Sequence, residues 1–109
     1  MATLAVQQIP VTGFTPTFAA AGAGGDAANP DDRTFLRVKN GSASPINVTI
    51  VDPGTTQIGQ ANPDPVVVVP ASTGDVLIDL PASLASLTTG LVSWTYSAVA
   101  TVTVALVRV

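Results

Sequence analysis

Apolar and polar residues alternate along most of the chain, which is the pattern of β-strands with one buried face. The segments that show it are 34–39, 46–51, 75–80, 91–96 and 100–106. Four consecutive valines at 66–69 indicate a further strand, either covered on both faces or lying at a sheet edge. The residues predicted to be buried share one phase of the alternation and are Leu36, Val38, Val48, Ile50, Ile78, Trp94, Val102 and Val104.

Turn residues separate these segments and predict how they connect. Asn40-Gly41 tolerates the positive φ angles of tight turns, so a hairpin is predicted between the segments on either side of it. The short connection 97–99 predicts a second hairpin at the C-terminal end of the chain. Thr3–Val11 predicts one strand interrupted by Pro10, and residues 81–87 predict one or two helical turns.

Short strands at regular spacing, with almost no helix between them, favour an all-β sandwich or barrel. We predict a single-domain antiparallel β-sandwich, jelly-roll-like, over residues 1–109. A chain of 109 residues is near the commonest domain size and can bury a core without a disulfide or a metal ion.

One segment departs from the alternation. Residues 13–32 contain four glycines, two prolines and six alanines, a composition that predicts an extended loop or arm instead of a regular strand. Loops of this length are usually functional or disordered, so we expect the arm to reach a neighbouring subunit or another partner. Phe14 and Phe18 either attach the arm to its own domain or anchor it to that partner. The candidate partner-contacting residues are Phe14, Phe18, Asp26, Asp31 and Asp32.

The residue inventory offers little catalytic chemistry. The chain has no cysteine, histidine or glutamate, which excludes disulfides, thiolate nucleophiles, histidine bases and His/Cys zinc sites. Asp31-Asp32 is the one adjacent carboxylate pair, and a solvated turn explains it better than acid–base chemistry. Asp26, Asn29, Asp31 and Asp32 could supply oxygens to calcium, but their spacing matches no EF-hand. We therefore expect no enzyme activity, no cofactor and no metal ion.

Charge is sparse and slightly acidic. Charged residues make up 10% of the chain and the formal net charge is −3, so nucleic-acid binding is not expected. The longest uncharged run, Leu80–Val107, alternates and contains proline and glycine, which does not predict a membrane-spanning helix. No secretory signal is evident, which favours synthesis in a cytoplasm. A neutral surface with 14 Thr and 7 Ser suits a domain partly covered by neighbours, as in an assembly protein.

Trp94 and Tyr96 lie two residues apart in a predicted strand and therefore share a face. Exposed aromatic residues in this arrangement could stack on a sugar, which would make the chain a carbohydrate-binding or adhesion module. Val92 lies on the same face, however, and this favours core packing with the indole N–H and the phenol meeting a partner near the rim.

Parts of both halves of the chain resemble a known family. These are TPTFAAA (15–21) with GGD (24–26), RTFLRVKNG (33–41) with INVTI (46–50), and VSWTYSAV (92–99) with VTVA (102–105). The sequence is similar to small proteins of tailed bacteriophages that are typically encoded beside the major capsid protein, the capsid decoration or cement proteins. The segment 52–80 departs from the pattern of the group.

The resemblance implies a structural role on the virion. It predicts a chain made in the host cytoplasm that binds the major capsid protein on the outer capsid surface, as a homo-oligomer and preferably a homotrimer. It implies no catalytic or ligand-binding residue. The alternatives are a head–tail or fibre-associated virion component and the carbohydrate-binding or adhesion module.

Overall fold

The computed structural model describes residues 2–109 and shows two β-sheets that share one hydrophobic core. The strands are β1 (Ala2–Thr3), β2 (Gln7–Gln8), β3 (Ala19–Ala20), β4 (Asp26–Ala28), β5 (Thr34–Asn40), β6 (Ile46–Ile50), β7 (Val66–Val69), β8 (Gly74–Asp79), β9 (Val92–Tyr96) and β10 (Val102–Arg108). A 3₁₀ turn at Ala82–Leu84 is the one helical segment in this part of the chain. No helix of residues 2–109 is long and apolar enough to cross a bilayer.

Sheet 1 has the strand order β1-β4-β9-β6-β7, and sheet 2 has the order β2-β10-β5-β8. In sheet 2, β10 lies between β5 on one side and two short strands on the other, with β3 beside its first half and β2 beside its last residues. The pairs β1–β4 and β2–β10 are parallel, and the remaining pairs are antiparallel. The predicted all-β sandwich is confirmed.

The alternation of the sequence places the core as predicted. Along β5 and β6, every second side chain is buried between the sheets, and the residues between them face outward. All eight residues predicted to be buried are buried, and Trp94, at 0% exposure, is the largest of the fully buried side chains among residues 2–109. Burial of such apolar side chains is the main favourable contribution to folding.

The two predicted hairpins are wrong. β5 pairs with β10 and β8, whereas β6 pairs with β7 and β9, so residues 41–45 cross from one sheet to the other. The connection 97–101 crosses in the same way between β9 and β10. Period-two alternation shows which face of a strand is buried, but a hairpin and a crossing between sheets satisfy it equally.

Asn40 explains why the first crossing does not tighten into a hairpin. Its side-chain amide donates hydrogen bonds to the carbonyl oxygens of Ser44 (2.9 Å) and Pro70 (3.1 Å), and its Oδ1 accepts from the Ser42 amide (3.0 Å). The Ser72 amide donates in turn to the Ser42 carbonyl (2.8 Å). The crossing between β5 and β6 is therefore tied to the β7–β8 crossing at the same end of the sandwich.

Three other segments differ from their predicted form. In place of the predicted strand 3–11 broken at Pro10, residues 2–11 form two short strands in different sheets, β1 and β2. Residues 81–87 supply only the short 3₁₀ turn. The segment 13–32 contributes β3 and β4, so the prediction that it cannot form a strand is wrong. Small alanine side chains allow β4 to be buried completely.

Candidate functional site

The outer face of sheet 2 carries an apolar groove of about 490 Å³. Residues 9–16, which include the first residues of the predicted arm, form one wall, and outward-facing side chains of β5, β8 and β10 form the floor and the other wall. Its apolar lining residues are Ile9, Phe14, Pro16, Phe35, Leu77 and Val107. The groove is therefore an outside feature of the sandwich and is separate from the core.

Hydrogen bonds hold the arm in place at its base. The Gln7 side-chain amide donates to the Thr17 carbonyl, and its Oε1 accepts from the Thr17 amide, each at 2.8 Å. The Gly13 amide donates to the Pro10 carbonyl at 3.0 Å, and Gly13 has a φ of 79°, a conformation that favours glycine. The arm thus folds back as a closed loop on its own sheet.

Phe18 attaches the end of the arm to β5. The Lys39 Nζ lies 4.3 Å and the Arg37 Cζ 5.5 Å from the centroid of the Phe18 ring, within range of cation–π attraction. Phe18 is half-buried as a result. Of the two roles open to Phe18 in the sequence, the structure supports attachment of the arm to its own domain.

Phe14 is placed differently. It is 39% exposed beside the groove, and Leu77 across from it is 63% exposed. Ile9 is also exposed on this surface, and Val11, two residues before the predicted arm, projects fully into solvent. A cluster of large exposed apolar side chains is a feature of protein-binding surfaces, whereas isolated ones are common anywhere.

An ion pair closes one end of the groove without leaving net charge there. Arg37 Nε and Nη2 donate to the two oxygens of Asp75 at 2.9 and 2.6 Å. These hydrogen bonds lower the pKa of Asp75 and raise the pKa of Arg37. The groove therefore offers apolar contacts beside a neutral, satisfied charge pair, which suits binding an apolar side chain and provides no free acid or base.

The predicted acidic contact residues lie in three different places. Asp31 accepts from the Arg33 amide (2.9 Å) and from Arg108 Nε (2.6 Å), and these bonds lower its pKa. Asp32 accepts from the Ala82 amide (2.8 Å) and so fixes the start of the 3₁₀ turn. Residues 2–109 contain no cluster of three or more carboxylates that could hold a metal ion.

Asp26 is not a surface residue, which corrects its assignment as a partner contact. It is 1% exposed, and its Oδ2 accepts from the Tyr96 hydroxyl (2.6 Å) and the Gly22 amide (3.1 Å). Gly25 has a φ of 93°, and a Cβ there would collide with the Trp94 carbonyl oxygen. A glycine at position 25 therefore lets β4 approach β9 closely enough for Asp26 to reach Tyr96.

Trp94 completes this internal network. Its Nε1 donates to the Tyr96 hydroxyl oxygen at 2.7 Å, which in turn donates to Asp26. Burial and the bond to Asp26 raise the pKa of Tyr96 above its ordinary value. Because Trp94 is fully buried, the sugar-stacking interpretation of this residue is wrong and core packing is confirmed.

The groove could not be predicted from the sequence, because its floor joins Phe35, Leu77 and Val107 from strands far apart in the chain. The one local signal was the position of Phe35 and Leu77 among the outward-facing residues of β5 and β8, where a large apolar residue is unusual.

Comparison with protein-family models, curated proteins and solved structures found no match for this chain.

Proposed function

We propose that this chain is a structural virion protein that binds the outer surface of a bacteriophage capsid through the groove on sheet 2 and stabilises the shell. The observation that carries the proposal is the exposed apolar cluster of Phe14 and Leu77 at that groove. The resemblance of short stretches within residues 15–50 and 92–105 to capsid decoration proteins suggests the identity of the partner, the major capsid protein.

The geometry supports a binding role in two steps. Phe18 and the Gln7–Thr17 hydrogen bonds hold the arm before any partner arrives, so little ordering entropy is lost on association. Phe14 and Leu77 then offer apolar area on the two walls of the groove to a side chain of the shell. Stabilisation follows because a bound chain adds contacts that the bare shell lacks.

This proposal expects a major capsid protein to be encoded beside this chain, and binding is tested with empty shells assembled from that protein. The parent chain should sediment with the shells and raise the temperature at which they come apart. The double variant Phe14→Ser, Leu77→Ser should bind at least about tenfold more weakly, as expected when central apolar contacts are lost. Both residues lie on the surface, so the fold should be retained.

The matched control is Ile58→Ser, Leu87→Ser, which removes two equally apolar exposed side chains that lie outside the groove. This control should bind as the parent does. Shells that fail to take up the parent, or that take up the groove variant as well as the parent, would contradict the proposal.

A further inference from the structure

Strand β7 presents an open edge. It pairs with β6 on one side, with Val67 opposite Val48, and among residues 2–109 no strand lies on its other side. The Ile50 amide donates to the Pro65 carbonyl (2.9 Å), which sets the phase of the ladder. In that phase the peptide groups of Val67 face β6, and those of Val66 and Val68 face away from it.

The side chains at this edge are apolar as well as exposed. Val66 is 55% and Val68 is 58% exposed, on the outer face of sheet 1. A row of unpaired amide and carbonyl groups flanked by apolar side chains is a template for another strand. The partner that fits this edge is therefore another extended strand without charged side chains, whose amide and carbonyl groups face those of Val66 and Val68.

The other sheet edges are protected, which sets β7 apart. Strand β8 carries two acidic side chains on its outer face, Asp75, which is paired with Arg37, and the exposed Asp79, and charged side chains oppose strand addition. The strands at the opposite edges, β1 in sheet 1 and β2 and β3 in sheet 2, have two residues each. Within the described residues, β7 is the one edge of four or more residues that carries no charge.

We propose that β7 pairs antiparallel with β7 of a second copy of this chain, about a two-fold axis at Val67. In this register Val66 lies opposite Val68 of the second copy, and each such pair exchanges two hydrogen bonds. The two copies would thereby join their five-stranded sheets into one continuous sheet. The interface is isologous, so it closes at two copies instead of growing.

Charge and proline select this arrangement over others. The antiparallel register places Asp64 opposite Pro70 of the second copy, so the two Asp64 carboxylates lie at opposite ends of the pair. A parallel register would bring them side by side. Pro65 and Pro70 bracket the strand and lack amide donors, which confines the pairing to the four valines. The proposed two-fold pair differs from the trimer that the sequence resemblance implies, and the proposal does not depend on capsid binding.

The first test is the mass of the purified chain across a concentration series, by sedimentation velocity and light scattering. The average mass should rise from 10.9 kDa toward twice that value. Val68→Pro should hold it at the monomer value, because it removes an outward amide and leaves the ladder with β6 intact. Thr95→Lys, an exposed change on the same outer face but on the central strand β9, should dimerise as the parent does.

A charge swap tests the register itself and is independent of any folding effect of proline. Two double variants are made, one with lysine at both positions (Val66→Lys, Val68→Lys) and one with aspartate at both (Val66→Asp, Val68→Asp). Each should be monomeric by itself, because like charges then lie directly opposite one another across the interface. An equimolar mixture of the two variants should recover the dimer mass.

Hydrogen exchange gives the site-resolved measurement. In the dimer the Val66 and Val68 amides should exchange at least about tenfold more slowly than in dilute parent. The Val66 amide should also exchange faster in Val68→Pro than in the dimer, while the outward Leu77 amide of β8 should not change. A parent that stays monomeric, a dimer that survives Val68→Pro, a higher oligomer with unprotected Val66 and Val68, or a mixture that stays monomeric would each overturn the proposal.

Discussion

Replacing Tyr96 by phenylalanine removes one oxygen atom from the network at the edge of the core and breaks two hydrogen bonds. That oxygen accepts from Trp94 Nε1 at 2.7 Å and donates to Asp26 at 2.6 Å. Neither partner can form a hydrogen bond to solvent water instead, because Trp94 is fully buried and Asp26 is almost fully buried. The variant therefore leaves one donor and one acceptor inside the protein without that partner.

The expected cost follows from those two groups. An unsatisfied buried polar group costs about 1–3 kcal/mol, with bonds to carboxylates at the upper end. Asp26 keeps the Gly22 amide as a second donor, so its share is reduced. We expect Tyr96→Phe to lower the free energy of unfolding by about 3 kcal/mol, within a range of about 2–5 kcal/mol.

The assay uses the single tryptophan of the chain, since Trp94 fluorescence reports unfolding in urea directly. Thr34→Val is the matched control, because it also removes a buried hydroxyl but one with no hydrogen-bond partner in the described residues. It should be neutral or stabilising by up to about 1 kcal/mol. In an Asp26→Asn background, Tyr96→Phe should cost less than in the parent, because the two residues are coupled.

A loss below about 0.5 kcal/mol for Tyr96→Phe, the scale of an ordinary surface change, would refute this reasoning. So would equal losses in the parent and in the Asp26→Asn background, because the network would then contribute no coupling.

Three further predictions concern other parts of the same fold. Above pH 10 the free energy of unfolding should fall by up to about 1.4 kcal/mol per pH unit, because the raised pKa of Tyr96 keeps the phenol protonated in the folded protein while it ionises in the unfolded chain. This fall should be absent in Tyr96→Phe, and equal slopes in the parent and the variant would contradict the prediction. Gly25→Ala should cost more than about 3 kcal/mol in urea unfolding, because its Cβ meets the backbone of β9 at a positive φ, and a loss below about 1 kcal/mol would show that β4 can move away. Phe18→Ala should free the arm and speed chymotrypsin cleavage after Phe14 several-fold without lowering the urea midpoint by much, and unchanged cleavage would show that the Gln7–Thr17 bonds suffice.

The faces of the strands could be predicted from sequence, and their partners could not. In β5, the alternation around Leu36 and Val38 depends only on which face of the strand is buried, and this is a local property of the chain. The pairing of β5 with β10 depends on a contact between Val38 and Val104, which no local pattern encodes. Asn40-Gly41 indicates a tight turn, but the Asn40 amide donates to the Pro70 carbonyl on a distant crossing as well as to the nearby Ser44 carbonyl.

The residues of the candidate site also differ in whether a local pattern in the sequence could reveal them. Phe14 and Phe18 were identified because aromatic residues are unusual in a stretch rich in glycine and alanine. Asp26 was misassigned because an aspartate beside two glycines is typical of an exposed loop, and its burial depends on Tyr96, 70 residues later in the chain. The groove required the fold itself, because Leu77 completes it from β8.

The central place of β10 in sheet 2 sets a condition on how the chain is made. During translation β5 is synthesised long before β10, so for part of the synthesis β5, with Leu36 and Val38, has no partner on the side that β10 later occupies. The ladder between β5 and β10 cannot be completed until Arg108 has left the ribosome, and a nascent chain that stalls earlier exposes the unpaired side of β5 to other chains. A product that ends before Val102 lacks β10 and leaves β5 unpaired on one side, which makes it a substrate for chaperones and proteases.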